Sequence, residues 1–457
     1  MSATSKLPFY AVVLLIVSAV DSNRNLPSAA IFGSPLIFFF LFSAIFFLFP
    51  VSLVSAELGA VSAKKGGIYH WVRLAFGEKA GVIAIWLQWV QAIAWFPTIL
   101  TFLAGTGAYL IRPELMYSKT YMVISISGIF WALTIVNLLG IRVSSKLNEI
   151  FCTVGTIIPT VVLIILGCIW VVKGEPLAIP VSFSSTIPSF TSLGPWTALV
   201  AVMTSFAGME LAGVHISSIA NPRVAFPKAL LVSSFIVLLS MLFGALSIAL
   251  VLPSHYIHLA GGMMQVFAAF FHKFHLDAWV FVMSLMIVAG SLGNLINWIV
   301  SPAKGLLHAS EYGYLPTFFT HVNKKGVASR ILIAQALIVS LLCVLFLFLP
   351  SVNAFYWFLM AISSSLYMIM YIMMFCAAIR LRPKLPTKAF HIPFGRFGLF
   401  STCTLGFIGS IITIFIGFFP PPGIPIASPL TYALMIAFGN IIMIGPVFYL
   451  FLLKKKQ

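Results

Sequence analysis

Apolar residues in this chain fall in long blocks separated by short polar stretches. Twelve blocks read as membrane helices: 8–32, 36–63, 80–111, 121–140, 149–172, 196–220, 230–252, 278–307, 331–349, 355–379, 397–419 and 430–453. A hydrocarbon layer about 30 Å thick takes roughly 20 residues of helix, and each block is near or above that length. Strand-type alternation is absent, which excludes a β-barrel. Loops are short throughout. The expectation is an all-α integral membrane protein with one transmembrane domain of twelve helices.

Two blocks are interrupted at mid-depth. In the first, 13 apolar residues from Pro8 to Val20 are followed by Asp21-Ser22-Asn23-Arg24-Asn25 and then Leu26-Pro27. Thirteen residues of helix rise only about 20 Å, too little to cross alone, and Asx residues with a proline break helices. The pattern predicts a helix, an unwound stretch and a second half-helix. Two other readings stand beside it: a cleaved signal peptide carrying Lys6 and Ser18-Ala19, or a short first helix with an outer polar loop. The second interruption is Ser205-Phe206-Ala207-Gly208-Met209-Glu210-Leu211-Ala212-Gly213, with His215 beyond it. A carboxylate at this depth costs about 2.5–3.5 kcal/mol on insertion scales, so it normally faces a cavity. The competing reading of Glu210 is a protonated latch, hydrogen-bonded to carbonyls of the broken helix.

The interruptions lie five blocks apart, in block one and block six. That spacing predicts a five-plus-five inverted repeat, with halves at about 8–172 and 196–379 and two extra helices at about 397–453. Unwound backbone is tolerated in a membrane only where it lines a cavity or is buried in protein. Freed amide N–H groups favour a carboxylate and freed carbonyls an ammonium. The pairing points to a carrier of zwitterions.

Composition and charge sharpen this reading. Hydrophobic residues make up 61% of the 457 and charged residues 8%, too few for a water-facing surface. A soluble enzyme, a nucleic-acid binder and a disordered tail are excluded as readings of the whole chain. The net charge of +17 belongs to loops. With the N-terminus inside, 21 Lys and Arg fall on the inner side, four on the outer, and Arg24 within a block. Both termini are therefore expected in the cytoplasm, and the charge count favours keeping the first helix. Five dispersed cysteines suggest neither disulfides nor a zinc site. His255, His258, His272 and His275 in an outer loop have metal-ligand spacing, but no carboxylate completes a motif and solvent exposure is the simpler reading. No P-loop, nucleophile elbow or catalytic carboxylate pair is present, which argues against a membrane-embedded enzyme. No cofactor or metal is expected.

Several motifs resemble a known family. Ala56-Glu57-Leu58, Gly66-Gly67-Ile68-Tyr69-His70-Trp71 and Ala75-Phe76-Gly77 are similar to the second-to-third-helix region of amino acid permeases in the amino acid–polyamine–organocation superfamily. So is Phe206-Ala207-Gly208-Met209-Glu210 with Asn221-Pro222 and Pro227. Within that superfamily the chain most resembles the bacterial glutamate/GABA antiporters of acid resistance, through Trp298-Ile299-Val300-Ser301-Pro302-Ala303-Lys304-Gly305, Asn323-Lys324-Lys325-Gly326-Val327 and Gly261-Gly262-Met263-Met264-Gln265. The likeness spans residues 15–450.

The resemblance implies the LeuT-like fold and amino acid transport across a bacterial inner membrane by alternating access. Glutamate/GABA-like antiport is the first reading; proton- or sodium-coupled symport on the same fold is the alternative, with Asn23, Asn25, Ser205 and Asn294 as sodium ligands. Partners would be a small amino acid or amine substrate and the lipid bilayer, with a monomeric or homodimeric protein and no nucleic acid. By position, the backbone at Asp21 and Ser22 would meet the substrate carboxylate, and carbonyls of Ser205, Phe206, Ala207 and Gly208 its amino group. Trp298, Tyr367 and Tyr371 would line the pathway. Gln88 and Gln91, three apart on one helix face, would line the same cavity or glue helices together. Glu210 and Asp21 are the candidates for proton linkage.

Departures from the family are also legible. Asp21 would repel a carboxylate if ionised. Arg24 could pair with it were the segment helical; alternatively Arg24 binds an acidic substrate while Asp21 binds an amine or titrates. Thr204 stands where arginine/agmatine antiporters have a tryptophan, and Asn294 where glutamate/GABA antiporters have an acid. The last block ends beside Lys454-Lys455-Lys456-Gln457, so gating by a C-terminal plug is not expected.

Overall fold

The computed structural model describes residues 8–454, leaving out 60–66, 141–152, 192, 312, 314, 349–350, 387–389 and 422–427. Gly66, the start of the fifth block, Lys455 and Lys456 therefore lie outside the described residues. The described chain is all-helical, with ten helices long and apolar enough to cross a membrane. Two shorter apolar helices, Phe9–Val20 and Ser329–Val344, accompany them.

In chain order the helices are α1 (Phe9–Val20), α2 (Asn25–Ala30), α3 (Leu36–Gly59), α4 (Ile68–Phe76), α5 (Glu78–Ala108), α6 (Lys119–Leu138) and α7 (Val154–Val172). They continue with α8 (Ala198–Ser205), α9 (Pro222–Val251), α10 (Gly262–Lys273), α11 (Trp279–Ser310), α12 (Ser329–Leu345), α13 (Val352–Leu381), α14 (Gly395–Ile416) and α15 (Pro429–Lys454). A 3₁₀ segment, Met209–Ser218, follows α8. The helix that replaces the seventh block begins at Pro222, eight residues before the expected start at 230. The reason is local: Asn221 takes a left-handed conformation (φ 49°) and Pro222 occupies the first helical turn. Arg223 and Lys228 had hidden this turn from a reading by hydropathy.

Helix α5 is the axis of the molecule. It packs against α13, α11 and α4, and almost all of it is buried. Its sequence explains this: Gln88, Gln91, Thr98 and Thr101 punctuate an apolar helix, and such groups avoid lipid by facing other helices. The opposite extreme is α15, whose apolar surface is mostly outward. Helix α1 lies along α9, and α9 along α7.

Two close contacts set the spacing around this axis. Glu57, buried near the end of α3, accepts from the Arg382 guanidinium just past α13 and from the Ile392 N–H at 2.7 Å. Gly155, in a π-helical turn at Thr153–Ile157, faces Gly290 of α11 backbone to backbone. A Cβ on either would overlap the other's main chain, and main chain cannot rotate aside. Gly290→Ala is therefore expected to lower stability by about 1–3 kcal/mol. Gly128→Ala on α6, where nothing stands within 4 Å, is the control expected to melt like the parent. Equal thermal midpoints for the two variants would remove this contact from the account.

Candidate functional site

Helix α1 stops at Val20 because Asp21 is extended (φ −68°, ψ 121°). Its own N–H still closes a last bond to the Val17 carbonyl at 2.7 Å. Residues 22–24 turn before α2 begins. Helix α8 stops at Ser205, and Gly208 at φ +116° turns the chain in a conformation that only glycine adopts cheaply. The Gly208 N–H donates to the Tyr371 hydroxyl at 2.8 Å. The two turns are neighbours: a Cβ on Gly208 would stand 3.6 Å from the Ala19 carbonyl oxygen.

Helix α11 closes the space beside them. Asn294 Nδ2 donates to the Ser18 carbonyl at 3.0 Å, and Trp298 Nε1 to the Ala19 carbonyl at 3.3 Å. The last carbonyls of α1 are thus held by side chains, which supply the partners that a truncated helix lacks.

A small cavity of about 20 Å³ lies between these elements. From the first turn it is lined by Ala19, Val20, Ser22, Arg24 and Asn25. Thr204 and Ala207 face it from the second turn, Gln91 and Trp95 from α5. Asn294, Trp298 and Tyr367 complete the wall, with the Trp95 and Trp298 ring centroids 5.1 Å apart. Within this wall Arg24 is the one formally charged side chain among the described residues. It is 1% exposed. Its Nη1 donates to Thr98 Oγ1 at 2.5 Å and its Nη2 to Asn25 Oδ1 at 2.6 Å. The guanidinium also lies over the Trp95 ring (5.2 Å) and the Tyr356 ring (5.7 Å).

The remaining expected site residues sit elsewhere. Asp21 does not pair with Arg24; unwinding at 21–24 swings it to α9, where its Oδ2 accepts from Ser240 at 2.7 Å. Asn23 turns to α7, donating to the Gly155 carbonyl (3.1 Å) and accepting from Thr160 (2.7 Å). Ser205 donates to its own helix at Val202, and Phe206 packs edge-on against Phe40. Neither lines the cavity, nor does Gly208.

Gln88, Tyr371 and Glu210 form a separate buried cluster behind the Tyr367 wall. Glu210 Oε1 accepts from Tyr367 at 2.6 Å and from Gln88 at 3.1 Å, and Oε2 accepts from Tyr371 at 2.5 Å. These three partners are side-chain donors, and the Glu210 main chain adds a backbone hydrogen bond. Among the described residues Glu210 makes no hydrogen bond to a carbonyl of the broken helix; the Thr204 carbonyl accepts from the Ala207 N–H instead. Tyr371 links Glu210 to Gly208, so the cluster clamps the second turn onto α13.

Trp95 and Thr98 were not singled out from the sequence. The signal was there: 88, 91, 95 and 98 step by three and four along one face of α5. Among the described residues no group of three or more His, Cys, Asp or Glu is arranged to hold a metal ion. His272 is exposed and sits against Asp277.

This architecture, a helical bundle with ten helices long and apolar enough to cross a membrane and a small polar pocket among them, is that of a multi-pass membrane protein. A family model for amino acid permeases matches residues 7–441, and the chain belongs to that family. An uncharacterized transporter of Legionella pneumophila is 37% identical over 454 residues, covering 99% of this chain and 97% of that one. A glutamate/gamma-aminobutyrate antiporter of Lactococcus lactis is 28% identical over 445 residues, covering 96% and 88%. A crystal structure of the Eremococcus coleocola manganese transporter superposes with a TM-score of 0.61 at 13% identity, over 98% of this chain and 96% of that one. That last likeness is one of fold. The family is one of transporters, so the chain moves a small amino acid or amine and is not an enzyme.

Proposed function

We propose that the protein exchanges amino acids across a bacterial inner membrane by alternating access, in the manner of a glutamate/GABA-type antiporter. The observation that carries this reading is the cavity shared by the two turns, Ser22 and Arg24 on one side and Thr204 and Ala207 on the other. In the proposed topology the chain crosses twelve times, with both termini cytoplasmic and a five-plus-five repeat whose first and sixth members are broken. Discontinuous helices at a repeat interface are where such carriers hold cargo. Trp298 and Tyr367 gate the pocket, and Glu210 and Asp21 are the groups available for proton linkage.

Antiport is preferred to sodium-coupled symport because two of the four polar groups suited to sodium, Asn23 and Ser205, stand outside the cavity that Asn25 and Asn294 line. Asn23 is engaged with α7 and the Ser205 hydroxyl with Val202. Counterflow in proteoliposomes tests the reading. Labelled amino acid is expected to enter vesicles preloaded with unlabelled amino acid at least about ten times faster than empty ones, with or without sodium, as expected when cargo binding permits the conformational exchange. Equal entry into empty vesicles under a sodium or proton gradient would replace antiport by symport.

A further inference from the structure

We propose that Arg24 and Asn294 are the two poles of the cargo site: the guanidinium takes a carboxylate and the Asn294 amide oxygen takes an ammonium, so the protein accepts amino acids and rejects amines that lack a carboxyl. The inference rests on the transport reading above and names its substrate class.

Arg24 is a buried cation without a counter-ion among the described residues. Its two hydrogen-bonded neighbours, Thr98 and Asn25, are neutral, and Nε has no partner. A buried charge is costly unless it is paired. The Trp95 and Tyr356 faces offset part of that cost, but they leave the net charge of the pocket positive. A carboxylate supplies the missing charge. A guanidinium binds one best through two parallel N–H groups, and the Nε–H is the donor left without a partner.

Asn294 provides the opposite pole. The Ser18 carbonyl can only accept, so the amide nitrogen must face it and Oδ1 is the acceptor left over. That oxygen is buried without a partner. Gln91 adds a second donor. Its Oε1 accepts from Ser363 at 2.9 Å and its Nε2 is buried and unpaired. Three residues of one wall therefore each keep one unused polar atom: two donors and one acceptor. Buried polar atoms are usually paired, and here three residues that line one cavity each keep one that is not. A molecule with a carboxylate and an ammonium satisfies both kinds. A diamine would bring two positive charges to an unpaired guanidinium and nothing for the donors. An amino acid with a net negative charge would neutralise the pocket completely, so acidic amino acids should bind most tightly.

The test uses purified full-length protein with a panel of amino acids and their decarboxylated amines, including glutamate, 4-aminobutyrate, putrescine and agmatine. Thermal shift and proteoliposome exchange are both read. The expected result is stabilisation and exchange only with carboxyl-bearing compounds, with the diamines weaker by at least about 100-fold, the scale of a like-charge penalty of several kcal/mol. Arg24→Gln should lose that preference by a similar factor, while Arg24→Lys, which keeps the charge but not the fork, should retain part of it. Asn294→Asp should let diamines compete. Wild-type protein that exchanges putrescine as well as glutamate overturns the two-pole assignment and leaves amino acid exchange standing. So does an Arg24→Gln protein with unchanged discrimination. If wild-type protein exchanges nothing in the panel, the transport reading itself falls.

Discussion

Glu210→Ala is expected to give a protein that is both less stable and unable to transport. The carboxylate is the common acceptor for Tyr367, Tyr371 and Gln88, at 2.6, 2.5 and 3.1 Å. Removing it leaves three buried donors without a partner, each worth about 1–3 kcal/mol. Partial re-pairing of the two tyrosines, whose ring centroids are 4.8 Å apart, puts the expected loss near the lower end of the sum, at about 3 kcal/mol. Glu210→Gln separates fold from function. It keeps the shape and one acceptor oxygen, and tyrosine hydroxyls can reverse their bonds to meet the new amide. That variant should express and melt within about 1–2 kcal/mol of the parent, yet exchange cargo at least about tenfold more slowly, because an amide at this position cannot take up or release a proton. Parent-like exchange by Glu210→Gln, measured beside its melting curve, would show that the cluster is only a structural clamp.

Arg382→Met is expected to destabilise by about 3–5 kcal/mol, the usual consequence of stranding one member of a buried ion pair. Glu57 is 1% exposed, and its Oε1 already lacks a partner. Without the guanidinium, the Ile392 N–H at 2.7 Å is its remaining partner. The pair joins the end of α3 to the chain just beyond α13, so its loss frees both segments. Combining Arg382→Met with Glu57→Gln should recover part of the loss, giving a coupling of about 0.5–3 kcal/mol in a double-mutant cycle. Thermal unfolding in detergent reads all four proteins. Strictly additive effects would mean that the pair contributes nothing as a pair.

The helical class was legible because it follows from solvation alone. A block such as 397–419 contains too few polar groups to face water, and its backbone must bond within itself in lipid. The family was legible from motifs such as Phe206-Ala207-Gly208-Met209-Glu210, whose glycine permits the turn at φ +116°. Helix ends were less so. The start of α9 was missed because charged Arg223 and Lys228 lie in its first turns, where a loop and a helix end have the same composition. The wall of the cavity was legible only in part. Gln91, Asn294 and Trp298 advertise themselves as polar or bulky groups in apolar helices, whereas Trp95 reads as ordinary packing until its neighbours are known.

Composition and block length were thus sufficient to determine a helical membrane protein, and residue patterns to determine its permease family, because both depend on properties summed along the chain. The facing of individual polar groups does not. Asp21 and Arg24 are three residues apart and would share a face in a continuous helix, yet the unwound turn sends one to Ser240 and the other to Thr98 and the cavity. Glu210 could have stood in the pocket, but two tyrosines of α13 hold it behind the wall. Side-chain direction in an irregular segment is decided by the helices packed around it, and tertiary structure alone brings those together.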